Sequence, residues 1–560
     1  MLRSLLLLTT LFLGACAQEV VTYDILINNG TLYDGYGGPP YQADIAIVDD
    51  RIVAIGELDG RANQEIDASG LAVAPGFINM LSWATESLVV DGRSQSDIRQ
   101  GVTLEVFGEG SSEGPLNDTM RADIEASEGF GGVDISWTTL GEYLEFLEQR
   151  GISPNVASFV GATTVRVHEL GYEDRAPDAS ELENMRALVR QAMEEGAMGL
   201  GSSLIYAPAF YASTEELIAL AEVVGEYGGM YVSHLRSEGN RLLESVDELI
   251  EISSQAGIAA EIYHLKMAGR SNWHKFDDVV ARVETAQANG QRISANIYTY
   301  TAGSTGLDAH MPPWVQEGGY DAWAARLRDP QIRSQVREEM TTPTDEWENL
   351  GLAAGPQGTL LVGFRNPQLR RYQGMTLAEV ASERETTPAD TAIDLVIEDG
   401  SRVQVVYFLM SQENVARGIA LPWVSFASDA QSLATEGVFL ERSTHPRAYG
   451  NFARVLGKYT REENVLTLPE AIRKLTSQPA RNLQIRDRGA LAENYFADIV
   501  IFDPSEVQDH ATYEDPHQYS TGVSHVLVNG ELVLENGEHT GALPGRAVRG
   551  PGWTGWEENQ

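Results

Sequence analysis

The stretch from Gly228 to Gly269, GGMYVSHLRSEGNRLLESVDELIEISSQAGIAAEIYHLKMAG, constrains the fold more than any other part of the chain. A short apolar run, Met230 to Val232, ends in His234, and a second, Ala259 to Tyr263, ends in His264. Between them Leu242, Val246, Leu249 and Ser253 recur at helical spacing, and Gly257 stands where a helix C-cap is expected, so the segment reads strand, helix, strand. In parallel βα architectures the C-terminal ends of the strands face one side. Two strand-end imidazoles one repeat apart are then neighbours in space, an arrangement that holds a divalent metal.

The same pattern extends along the chain. Candidate strands fall at Leu71 to Ile78, Thr103 to Phe107, Asn155 to Val160, Met198 to Leu204, Met230 to Ser233, Ala259 to Tyr263, Ser294 to Tyr300 and Val424 to Ala427, most of them followed by helix signals. Ser213 with Glu216 and Thr467 with Glu470 have capping-box spacing. Eight βα units with apolar strands predict an α/β chain whose residues 76–480 form a (β/α)8 TIM-like barrel. From Thr301 to about Leu421 there is more chain than one βα connection needs, with helical patterns at Tyr320 to Leu327, Gln331 to Met340 and Thr387 to Ile397. Residues 302–421 are therefore expected to be a lid inserted after strand seven. Short alternating strands occupy Tyr23 to Ala74, with hairpin signals at Asn29-Gly30 and Asp49-Asp50, and return at Ala497 to Val507 and Ser524 to His539. They predict one small β-sandwich built from both termini, residues 16–75 and 481–560, the latter including a C-terminal tail.

Hydrophobic residues make up 43% of the chain, enough for a sizeable core. The net charge of -41 argues against binding nucleic acid or anionic lipid through a basic face. At the N-terminus Arg3 precedes an apolar run from Leu5 to Leu13, too short for a permanent span, so residues 1–15 read as an export signal. Leu13-Gly14-Ala15-Cys16 has the form of a bacterial lipobox. It predicts cleavage before Cys16, lipidation of its thiol, and a body in the periplasm or anchored to the outer membrane through that residue alone. A plain signal peptide is the alternative. Cys16 is the only cysteine, so no thiolate is left for a metal.

Two carboxylates stand at comparable strand ends, Glu109 after TLEVFG and Asp429 after VSFAS. Glu109 with the two histidines would complete a set of two imidazoles and one carboxylate, which leaves a position open for water. Asp429 would serve as general base. The plainer readings are a turn cap for Glu109, which lies between two glycines, and a helix N-cap for Asp429, where catalysis is the favoured reading. Lys266 lies two residues beyond His264, and Arg236 two beyond His234. By strand alternation each is expected to leave on the same face as its histidine. Tyr298, Tyr300, Ser304 and Tyr206 follow other strands. Cationic and phenolic donors around a metal suit a substrate bearing a carboxylate.

The motifs VAPGFI, QGVTLEVFG, GAMGLGSSLIYAP, YVSHLRSE, YHLKMAG, YTYTAGST, SFASDA, HPRAYGNFARVLGKY and RGALAENYFADIVIFDP run through nearly the whole length. With them the chain resembles the amidohydrolase superfamily, and within it the D-aminoacylase (N-acyl-D-amino-acid deacylase) family. The resemblance implies zinc-dependent hydrolysis of an N-acyl amide, with a small N-acyl amino acid as substrate. It implies His234 and His264 as ligands of the tightly bound zinc and Asp429 as the catalytic aspartate. Lys266, Tyr206, Tyr298 and Ser304 match positions lining the substrate's carboxylate and amide.

Two departures from the family pattern matter. After PGFI the family has a His-x-His pair, where this chain has Leu81 and Trp83. Its cysteine ligand after strand two is replaced here by Gly108-Glu109-Gly110, which makes Glu109 the substitute donor. Both changes imply at most one zinc. The competing readings are a cyclic-amide hydrolase of the hydantoinase or dihydroorotase kind, and a non-catalytic binding lipoprotein on the same fold.

Overall fold

A computed structural model describes residues 22–126 and 133–558. The expected export signal and Cys16 lie outside them. Among the described residues no helix is long and apolar enough to cross a membrane.

The chain begins with β1 (Thr22–Leu32), β2 (Tyr41–Val48), β3 (Arg51–Gly56), β4 (Arg61–Asp67) and β5 (Ala72–Pro75). Asp49-Asp50 turns the β2–β3 hairpin as expected, with Asp49 at φ 52°. Asn29-Gly30 does not make a turn. It is a bulge inside β1, where Asn29 takes φ 60° and its N–H is held by Asp44 Oδ1 at 2.9 Å. An Asn-Gly pair supplies left-handed backbone, and β1 uses it to shift register against β2 instead of reversing direction.

The expected strand at Leu71 to Ile78 breaks in two at Gly76. β5 joins the sheet of the chain ends, and β6 (Phe77–Asn79) starts the central parallel array. A Cβ at Gly76 would lie 2.1 Å from Thr103 Oγ1, so the crossing needs glycine. β6, β7 (Val102–Phe107) and β8 (Asn155–Ser158) form one parallel sheet. The second parallel sheet begins with β9 (Val160–Gly161), β10 (Gly199–Ser203), β11 (Met230–His234), β12 (Ala259–Ile262) and β13 (Ile293–Ile297). Only Phe159 separates β8 from β9, and its N–H is held by Phe107 O. The strands of both sheets are almost wholly buried, as expected of parallel sheet covered on both faces.

After β13 the chain leaves the array to form β14 (Ala302–Gly306), β15 (Thr359–Gly363) and β16 (Gln404–Phe408), an antiparallel sheet of its own. The three helical patterns expected in this insertion are present as Gly319–Arg328, Pro330–Thr341 and Pro388–Asp399. β17 (Val424–Phe426) then returns beside β13. From there the chain reaches back to β6: Met80 N–H is held by Phe426 O, Asp429 N–H by Leu81 O, and Ser82 bridges Ala430 in parallel.

β18 (Ile499–Phe502), β19 (Val523–Val528), β20 (Glu531–Glu535) and β21 (Glu538–His539) complete the sheet of the chain ends. β18 pairs antiparallel with β5. A separate apolar cluster that includes Ile27, Ile47, Val73, Ile499, Ile501 and Leu527 packs this region from both ends of the sequence. The expected helix starts carry half of a capping box. Ser213 and Thr467 accept the N–H groups of Glu216 and Glu470.

Candidate metal centre

The C-terminal ends of β7, β11 and β12 bring three donors together. Glu109 Oε1 lies 2.9 Å from His234 Nδ1 and 2.9 Å from His264 Nε2, and one ligand atom from each residue falls within 4.8 Å of the others. All three side chains are buried. Glu109 sits between Gly108 and Gly110 at φ 106° and 72°, and a Cβ on Gly108 would stand 2.4 Å from Phe159 O. The glycines let the backbone turn tightly enough to direct this carboxylate inward.

Glu238, which sequence reasoning missed, lies behind the histidines. Its carboxylate is 3.0 Å from His264 Nδ1, 3.5 Å from His234 Nε2 and 2.6 Å from Lys266 Nζ. Lys266 also meets His264 Nδ1 at 2.6 Å. The lysine is therefore engaged with the outer side of the histidine pair. Outer partners of this kind fix the orientation of a ligating imidazole. The signal available for Glu238 was its place four residues after His234, in the loop leaving β11.

Electrostatics follow from this crowding. Burial works to raise the Glu109 pKa, but His264 and His234 outweigh it and hold the carboxyl below its ordinary range. Burial and Lys266 oppose charge on His264, yet Glu238, Glu109 and Asp429 prevail and push its pKa up to about 9.

Asp429, beyond β17, borders the trio. Trp83 Nε1 donates both to its Oδ1, at 3.1 Å, and to Glu109 Oε2, at 3.0 Å. Arg447 Nη1 lies 2.7 Å from Asp429 Oδ2. Burial raises the Asp429 pKa, Arg447 works against it, and Glu109 adds to it. Arg447, also missed, comes from the start of the helix Arg447–Arg454 and lies over the Tyr298 ring at 4.5 Å. Nothing in its sequence spacing ties it to the strand ends.

The remaining expected residues divide. Tyr298 is buried among His264, His445 and Arg447, and its hydroxyl has no hydrogen-bond partner among the described residues. Tyr206 stands edge-on to His234 at 5.4 Å, with Arg402 5.0 Å from its ring. Tyr300 packs edge-on to His445. Ser304 lies on β14, where its hydroxyl donates to Val405 O at 2.9 Å. Arg236 departs from expectation. Its guanidinium pairs with Glu248 at 2.9 Å and donates to Phe210 O and Ala212 O. It lines a cavity of about 570 Å³ to which none of Glu109, His234, His264 and Asp429 contributes. The strand ends at His234, so the alternation that would have put Arg236 on the same face no longer applies.

A model described as the amidohydrolase family matches residues 441–534. D-aminoacylase of Alcaligenes xylosoxydans xylosoxydans is 31% identical over 94% of this chain and 97% of its own length. N-acyl-D-glutamate deacylase from Bordetella bronchiseptica, solved with zinc and a phosphonate that mimics the tetrahedral intermediate, is 28% identical at a TM-score of 0.78. That match covers 94% of this chain and 100% of that one. A structure of D-aminoacylase concerned with its binuclear centre, with one-metal activation and second-metal attenuation, is 29% identical at 0.77 over the same shares. Fold and relatives together define an amidohydrolase. Within that class the chain belongs to the D-aminoacylase family.

Proposed function

We propose that this protein is a metal-dependent amidohydrolase that cleaves the amide of N-acyl-D-amino acids, with Glu109, His234 and His264 as metal ligands and Asp429 as general base. The observation that carries this reading is the convergence of two imidazoles and a carboxylate at strand ends in a chain of this family.

The donors fit zinc. Two imidazole nitrogens, His234 Nδ1 and His264 Nε2, are directed at one carboxylate oxygen, while the outer nitrogens of both rings face Glu238. An ion held there supplies Lewis acidity, lowering the pKa of water and polarising an amide carbonyl. Asp429 Oδ1 takes a proton from the attacking water and returns it to the leaving nitrogen, while Oδ2 stays paired with Arg447. Burial of Asp429 favours its holding that proton between the two transfers. Tyr298, with its unpartnered hydroxyl, and Tyr206 supply donors for the substrate's polar groups. Lys266 acts through His264. Leu81 and Trp83 offer no ligand, which supports a single ion.

The two parallel sheets supply eight strands when β8 and β9 are counted as one, and the contacts from β17 to β6 support closure into a (β/α)8 barrel. The chain ends then form the accessory β-sandwich and residues 302–421 the lid. A cyclic-amide hydrolase would use a lysine at the end of β10, where Ser202 and Ser203 stand. Export and anchoring through a lipidated Cys16 remain part of this reading on sequence grounds.

Metal analysis together with assays on paired N-acetyl-D- and N-acetyl-L-amino acids tests the proposal. One equivalent of zinc and turnover of the D series are expected, and both should be lost in His234→Ala and Glu109→Ala. Full metal content in either variant would overturn the assigned ligands.

A further inference from the structure

Trp83 follows β6 by four residues and leaves 37% of its surface exposed, yet its indole N–H is directed inward. It is shared between Glu109 Oε2 and Asp429 Oδ1, at 3.0 and 3.1 Å. The other oxygens of both groups are taken, Glu109 Oε1 by the two histidines and Asp429 Oδ2 by Arg447. Carboxylate oxygens from the ends of two different strands thus meet on one point, as they do when they bridge a cation. Here that point is an indole N–H, which donates but cannot ligate. Leu81, two residues earlier on this loop, is fully buried and apolar, and the Ser82 hydroxyl between them is given to Glu105.

We propose that Trp83 is a positioning residue whose N–H occupies the place where a second cation would bridge Glu109 and Asp429, so that the centre takes one ion and Asp429 Oδ1 keeps a fixed orientation. The proposal rests on the metal-centre reading above. It differs from a packing role in what it requires of the side chain. A ring that only fills space can be replaced by phenylalanine, whereas a ring that acts through its N–H cannot. An imidazole at the same position, unlike an indole, has a nitrogen lone pair to offer a metal.

The test uses the whole mature protein and zinc alone as probe, read by calorimetric titration and metal analysis, with steady-state kinetics alongside. The parent is expected to bind one equivalent. Trp83→Phe should still bind one equivalent, which also reports that it folds, while kcat falls about tenfold or more with KM within about twofold. Trp83→His should bind a second equivalent at zinc concentrations where the parent takes up one. A parent that binds two equivalents, a Trp83→Phe variant with parental kcat, or a Trp83→His variant that stays at one equivalent would each overturn the proposal and leave the metal-centre reading intact. A parent that binds no zinc would defeat that reading, and this one with it.

Discussion

His264 and Asp429 hold φ of 36° and 50°, a left-handed conformation that side chains other than glycine rarely adopt. Asn296 Oδ1 fixes the first by accepting its N–H at 2.8 Å, and Leu81 O fixes the second at 2.9 Å. Strain held in place by neighbouring groups is common where a side chain must be aimed at a reaction. A second set of buried groups supports the loop that carries Trp83. Glu105, on β7, accepts from Ser82 and Ser94, each at 2.6 Å, and burial lifts its pKa to about 7. An unfolded chain releases this proton near 4.5. Between those two values the folded protein holds more proton than the unfolded one, so this contribution is intact below pH 4.5 and is lost as pH rises to 7. Relative to Glu105→Gln, the parent should lose stability across that interval, Asp97, whose pKa Glu105 helps to raise, sharing in the titration. Urea unfolding at stepped pH checks this, and parallel stability curves for the two proteins would refute it. The histidine pair was legible in the sequence because strand ends map onto one face. Glu238, Arg447 and Trp83 were not assigned roles there, because loops and a distant helix bring them in and no periodicity records that.

The insertion is tied to the centre through Glu348. Its carboxylate accepts the N–H groups of Glu238 and Gly239, directly behind the histidines, and burial next to Glu238 raises its pKa to about 7. Glu348→Ala removes Oε2, the one oxygen that accepts from both. We expect a loss of about 2 kcal/mol in stability and faster cutting within residues 343–349 by a broad-specificity protease, with zinc content unchanged. Equal cutting rates in parent and variant would show that this anchor is dispensable. Most elements of the parallel array were visible as apolar runs, since burial on both faces leaves continuous hydrophobic sequence. The split at Gly76 was not, because both halves are equally apolar and only the approach of Thr103 separates them. The Asn29-Gly30 bulge was misread for a related reason. The same left-handed backbone serves a turn or a register shift, and the pairing partner decides which.

At the scale of the molecule, the two chain ends are interleaved. Ala74 pairs with Val500, and backbone groups of Arg546 and Val548 bond to Val156. A single cut in the insertion should therefore leave two pieces that separate on a denaturing gel yet elute as one particle with zinc retained. Dissociation after such a cut would show that the interleaving contributes little. β5 finds its antiparallel partner only when β18 arrives, about 420 residues later, and closing so long a loop is slow. A nascent chain must carry that open edge through most of its synthesis, exposed to pairing with other chains. Folding can finish only once the last strands have emerged, and until then the young polypeptide depends on whatever shields its unpaired strand from its neighbours.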